Sequence, residues 1–223
     1  MSMRVNDGVT HPGMGGNPEL DHWVQKMMDE LKKDQLSELR KDFHTRLRLT
    51  LTHPQQTELV EDLWDFFYDW CLFEQKLPDK ITMNEESEKN LWENLKESAQ
   101  RGLYSVTKVD DRSLKLKELF QDQVFVIHKQ AQADLIGISK GDIVEARLMK
   151  SSDEEGQYSF VRKPSFHSLE VHPYIKLKVK QFRKDKDFNS YQNWLWLLVG
   201  MYVKHRLYEH MPIEKIYNDN SRI

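Results

Sequence analysis

With 223 residues, 39% of them hydrophobic and 31% charged, the chain holds enough apolar surface to repay ordering, which excludes a disordered polymer. A net charge of −3 gives the whole chain no nucleic-acid signature. A single cysteine, Cys71, excludes an intrachain disulfide or a cysteine zinc cluster. The longest apolar run, residues 194–203, is ten residues where a bilayer span needs roughly 20. No basic-then-apolar leader opens the sequence, so a cytoplasmic protein with no membrane partner is expected.

The charge is unevenly spread. Residues 55–100 carry twelve acids against four bases, net −8, and residues 163–223 carry eleven bases against six acids, net +5. Each segment is either solvated or matched by the other, or one of them meets a charged partner.

Residues 1–17, with Gly8, Pro12, Gly13, Gly15 and Gly16, read as a flexible tail. Asn17-Pro18-Glu19 has the form of a helix start, with a cap, a proline in the first turn and an acid behind it. Leu20, Val24, Met27, Met28 and Leu31, then Leu36, Leu39, Phe43 and Leu47, recur at helical spacing as one long helix or two, with Asp34 a possible second cap. Thr52-His53-Pro54 stops the pattern.

Residues 57–78 (TELVEDLWDFFYDWCLFEQKLP) form the expected central helix. Val60, Leu63, Trp64, Phe67 and Cys71 share one face, and Phe66, Tyr68, Trp70 and Phe73 fill the flanks. A helix aromatic on three sides belongs in a core. Glu58, Asp62, Asp65 and Asp69 lie along another face as an acidic row. Thr82 and Glu85 have capping-box spacing. The next helix turns Leu91, Trp92, Leu95 and Ala99 inward, with Gly102 as its terminator.

The period then changes to two. Residues 103–109, 114–119, 124–129, 143–149 and 158–162 read as short strands separated by turn residues. Five such strands predict a small barrel of SH3 or OB type. Residues 169–185 are ambiguous, because Ile175, Leu177 and Val179 alternate with lysines while Ile175, Val179 and Phe182 share a helical face; helix is favoured. Asn189 or Ser190 caps a buried helix from Tyr191 to His210, and Pro212 interrupts it before a last turn. The expected fold class is therefore α+β. A helical part (18–100) and C-terminal helices (164–223) form one core, with a small antiparallel β barrel-like module (101–163) inserted between them.

Candidate chemistry is sparse. Cys71 has no His, Lys or Arg within a helical turn, so it reads as a small buried hydrophobe rather than a nucleophile. The acidic row has the residue types of a cation site but no Glu-x-x-His partner. His167 and His172, and His205 and His210, are five apart, which puts each pair on different helix faces. No metal or cofactor is expected. For nucleic acid, the barrel candidates are Tyr104, Phe125 and Tyr158 with Arg101, Lys108, Lys115, Lys117 and Lys129. The better basic patch is Lys176, Lys178, Lys180, Arg183, Lys184 and Lys186, and its lysines are the expected counterpart of the acidic row.

The order DLWDFFYDWCLFEQKLP, then RGLYSVTKV, LKLKELF, VFVIHKQ and GISKGDIVEARLM, resembles a loosely defined set of uncharacterised bacterial proteins. They share an aromatic helix followed by a β module, and some end in a SEC-C-type zinc motif. The likeness covers about residues 60–150. It implies an architecture and a bacterial cytosolic setting, and no activity. With one cysteine the zinc tail is missing here, so no metal role carries over. The expectation is a non-catalytic binding or adaptor protein with an unidentified protein partner. The alternative is an RNA- or DNA-binding module using the barrel and residues 176–186.

Overall fold

Two helices, not one, precede the central stretch: α1 (Pro18–Glu30) and α2 (Lys33–Leu47). The computed structural model describes residues 18–49, 57–77, 86–128, 137–150 and 157–220, without the side chains of 18, 19 and 57–62. The expected tail, the Thr52-His53-Pro54 stop and the Thr82 capping box lie outside these residues. The break between α1 and α2 falls at Lys32, which is extended and whose N–H donates to Gln35 Oε1 at 3.0 Å. Lys32, not Asp34, is thus the cap residue. α2 ends where Arg48 turns left-handed (φ 52°), and Arg48 N and Leu49 N donate to Thr45 O and His44 O. That pair of bonds satisfies the last carbonyls of the helix.

The central stretch is α-helical over Thr57–Asp69 (α3) and then widens into a π-helical turn, Trp70–Glu74. Its aromatics are a core, as expected: Phe66, Phe67, Tyr68, Trp70 and Phe73 are buried, and Trp64 packs against them. In α4 (Glu86–Ser98), Trp92 and Leu95 face inward, Trp92 meeting Trp23 and Phe73 at 5.5 and 5.8 Å. Leu91, expected inside, is 36% exposed. Gly102 does not end this helix. It lies inside the next strand, where a Cβ would come within 3.1 Å of the Glu118 side chain.

Six strands follow: β1 (Gln100–Val109), β2 (Ser113–Glu118), β3 (Val124–His128), β4 (Ile143–Lys150), β5 (Tyr158–Phe160) and β6 (Ser165–His167). β1, β2 and β3 form an antiparallel meander, β4 pairs with β1, and β5 with β4. A parallel bridge between Ile127 and Tyr158 joins β3 to β5 and closes a ring in the order β1-β2-β3-β5-β4-β1. The barrel is therefore mixed rather than wholly antiparallel. Its Greek-key closure is of the OB type, not a simple meander. β6 pairs with β4 outside the ring, on the same edge as β5 but at the other end. The barrel interior holds Tyr104, Val106, Leu114, Leu116, Phe125, Ile127, Val144, Ala146, Leu148 and Phe160.

After a single 3-10 turn the chain is helical again: α5 (His172–Asp185), α6 (Phe188–Leu207) and α7 (Ile213–Ile216). The ambiguity over residues 169–185 resolves as helix, with Ile175 and Val179 buried and Leu177 turned out at 56% exposure. The α6 cap is Asp187, which accepts from Ser190 N, rather than Asn189 or Ser190. α6 joins the two helical cores. Trp196, Val199 and Val203 pack with α1–α4, while Tyr191, Trp194, Leu195 and Leu198 pack with α5, α7, Leu103 and Ile143. The architecture is thus the expected α+β one, with N- and C-terminal helices around a small barrel.

Candidate functional site

The outer wall of the barrel has two halves of opposite character. On the half facing the helices, alternate residues of β1 and β4 point out of the barrel: Arg101 and Leu103, and Ile143, Glu145, Arg147 and Met149. Three of these six are charged, and all are buried.

Their charges are matched partly within the barrel and partly by the helical part. Arg147 Nε donates to Asp69 Oδ1 at 2.6 Å, and its Nη2 to Glu74 Oε1 at 2.9 Å. Arg162, just beyond β5, donates from Nε to Asp69 Oδ2 at 2.9 Å and from Nη2 to Glu145. Arg101 Nε donates to Glu145 Oε1 at 2.6 Å. Each guanidinium also covers a ring: Arg101 lies 3.4 Å from the Trp196 centroid, Arg147 4.6 Å from Phe73 and Arg162 3.9 Å from Phe66. Burial alone would raise the pKa of Asp69, but Arg147 and Arg162 outweigh it and hold the carboxyl below its ordinary range. Glu145 is held down in the same way by Arg162 and Arg101. Both carboxylates are therefore ionised, paired and out of reach of solvent. They act as a seam between helices and barrel rather than as acid/base groups.

This corrects the expected acidic row. Asp69 is not on a wet face, and its partners are arginines of the barrel module rather than lysines of α5. Asp65 is half-buried, and the side chains of Glu58 and Asp62 lie outside the described residues. Cys71 is buried, and burial pushes its thiol pKa up, as a small hydrophobe requires. His167 is buried on β6, its ring nitrogens have no hydrogen-bond partner, and burial depresses its pKa to about 4. His172 Nε2 lies 3.0 Å from His167 O. Among the described residues no group of three or more His, Cys, Asp or Glu side chains is placed to hold a metal ion. A cleft between α2 and α3, lined by Arg40, Phe43, His44, Leu63, Trp64 and Phe67, holds about 50 Å³, room for a few waters.

Among the described residues the other half of the wall is open. On β2, Leu114 and Leu116 point in and Lys115 and Lys117 point out. On β3, Phe125 and Ile127 point in, while Val124, at 50% exposure, Val126 and His128 point out. Lys115 pairs across the ladder with Val126, and Lys117 with Val124, giving a lysine–valine surface. Lys108 pairs with Asp110 at the edge of this surface. Two residues expected as exposed stacking platforms, Tyr104 and Phe125, are inside the barrel, where they meet edge to face at 5.6 Å; Tyr158 is half-buried beside them. Arg101, expected in the same groove, is sealed under Trp196. Lys129 is outside the described residues.

The α5 basic residues divide. Lys176, Lys180 and Lys184 are exposed at i, i+4 and i+8, and Lys186, just past the helix, is exposed too. Lys178 faces inward and pairs with Asp219. Arg183 pairs with Asp122 in the β2–β3 turn, which also takes Lys117 at 2.9 Å. That shared carboxylate links the open β2–β3 wall to the α5 stripe. Sequence reasoning missed Glu145, Arg147 and Arg162 as a set. The charged alternation in IVEARLM, amid apolar residues, was the available signal. Among the described residues no helix is long and apolar enough to cross a membrane. No family model matches this chain, and no curated protein or solved structure matches it either.

Proposed function

We propose that this chain is a non-catalytic binding protein, in which the helices hold a small barrel and the barrel offers its open wall to an acidic or polyanionic partner. The observation that carries this reading is the division of the barrel surface. One half is locked onto the helices through Asp69, Arg147, Arg162 and Glu145, and the other exposes Lys115 and Val124, with Lys117 and Val126 partly exposed, beside the α5 lysines. Locking one wall fixes the orientation of the other, which is the preorganisation that binding needs. Sequestration of the buried carboxylates and of Cys71 supports a non-catalytic role.

An adaptor role with a protein partner and a nucleic-acid role both use this surface. The second is favoured by the OB-type strand order, in which the β2–β3 face is the usual ligand face. The test is capture from a cell extract, with and without nuclease, by the wild-type chain and by Lys115→Glu/Lys117→Glu and Lys176→Glu/Lys180→Glu variants. Loss of the captured partner on charge reversal, with Lys89→Glu on α4 as an unaffected control, is the expected result. Capture indifferent to both double charge reversals would overturn the reading.

A further inference from the structure

Where the open wall meets the end of α5, an aromatic ledge stands among charged side chains, in which Lys117, Lys180, Arg183, Lys184 and Lys186 outnumber Asp122, Asp185 and Asp187. Phe188, the first residue of α6, is 39% exposed. Its ring lies 5.5 Å from that of Phe120, which follows β2 and is itself stacked on Tyr191 at 4.8 Å with 16° between planes. Phe120 is thus fixed by the core, and Phe188 is fixed by Phe120. Arg183 reaches the same corner, donating from Nη1 to Leu119 O at 3.3 Å and from Nη2 to Asp122. Lys117 takes the other oxygen of Asp122. One carboxylate therefore serves two cations, all three partly exposed, and the pair of cations keeps a surplus positive charge. Lys184, Lys180 and Lys176 continue from this corner along α5, each step rising about 6 Å.

We infer that this corner binds single-stranded nucleic acid, an unpaired base stacking on Phe188 and the adjoining phosphates meeting Lys117, Arg183 and the Lys184–Lys180–Lys176 stripe. The inference rests on the binding reading above and names its ligand class. An anchored, exposed ring between point charges is what a sequence-tolerant single-strand site requires. A duplex keeps its base faces stacked and has none to offer the ring. An acidic polypeptide would meet the lysines but draw only a small apolar contact from Phe188. Asp122 occupies the two cations that would grip a phosphate, so it acts as a local competitor.

The test is fluorescence anisotropy with three labelled probes: a single-stranded oligonucleotide of roughly 12 nucleotides, a blunt duplex of the same sequence, and polyglutamate of matched charge. The oligonucleotide should bind best, with a salt slope near −0.7 per phosphate contact. Phe188→Ala should weaken it about 5- to 150-fold. Phe188→Trp should preserve binding, and Phe188→Leu, which keeps the apolar contact with Phe120, should behave like the alanine variant. Asp122→Asn, tolerable at a left-handed position (φ 61°), should tighten it. Equal binding of oligonucleotide and polyglutamate, or no effect of Phe188→Leu, would overturn the inference while leaving the binding reading intact. Failure of all three probes to bind would overturn both the inference and the polyanion part of that reading.

Discussion

Arg162 Nε donates to Asp69 Oδ2 at 2.9 Å, tying the chain just past β5 to the last α-helical turn of α3. Asp69 takes Arg147 on its other oxygen, so one carboxylate holds two guanidinium groups, one from β4 and one from the chain just past β5. Asp69→Ala leaves both guanidinium groups buried without that carboxylate, which should lower unfolding stability by about 3–5 kcal/mol. The urea midpoint reads this. A loss below about 1 kcal/mol would mean that Glu145 and Glu74 suffice to hold the seam.

The same seam sets a pH dependence with two windows. His167 is neutral in the fold, with a pKa near 4, whereas its unfolded value is about 6.5. Burial sets this depression; Glu145 opposes it and His172 adds to it. Between those values the unfolded state binds the extra proton, so stability falls as pH drops from about 6.5 to 4, by on the order of 3 kcal/mol in all. Below about 4 the second window opens. Asp69 and Glu145 have depressed folded pKa values, so the stability they lend is complete above their unfolded values and is lost as pH falls toward the folded ones. His167→Phe should flatten the upper window of urea midpoints and leave the lower one. Tyr202 and Tyr217, which pack edge-on to the His167 ring, offer an apolar surround for the phenyl group.

How much of this was legible in the sequence varies with the range of the interaction. Five of the six strands followed from local alternation, because the barrel interior demands apolar residues at every second position. β6 was missed, since Ser165–His167 is too short to show a period. The choice between the SH3 and OB closures was not legible, because it turns on one parallel bridge, Ile127 to Tyr158, that leaves no mark on either strand. The acidic row of α3 was seen, but its meaning was not. Periodicity puts Asp69 on a polar stripe, and only tertiary packing sets Arg147, 78 positions on, against it. The lysine–valine wall carries the same alternation as a strand covered on one face, and the difference is that none of the described helices packs on its outer side.

Gly200 is where α6 comes against the end of α2. A Cβ there would lie 2.0 Å from Leu47 O, a backbone atom with no freedom to retreat, because the left-handed Arg48 pins the end of α2. Gly200→Ala should therefore destabilise by about 3 kcal/mol or more, at the upper end of overpacking effects, despite the better helix propensity of alanine. Thermal melts of the variant decide it. An unchanged melting temperature would mean that the two helices slide apart at little cost.

The α5 lysines should separate into two groups under charge reversal. Lys178 is bonded to Asp219, beside Tyr174 Oη, which donates to Asp219 Oδ1 at 2.9 Å. Lys178→Glu sets two carboxylates against each other in this half-buried corner and should lower the melting temperature by a few degrees, about 1 kcal/mol. Lys176 and Lys180 are exposed on the outer face, and the Asp69 carboxylate they were expected to neutralise is already held by Arg147 and Arg162. Lys176→Glu and Lys180→Glu should shift the melting temperature by no more than a surface substitution does, within about 0.5 kcal/mol. A large loss of stability in either would show that the stripe is engaged within the chain. Stability retained in both leaves these cations free for an anionic partner.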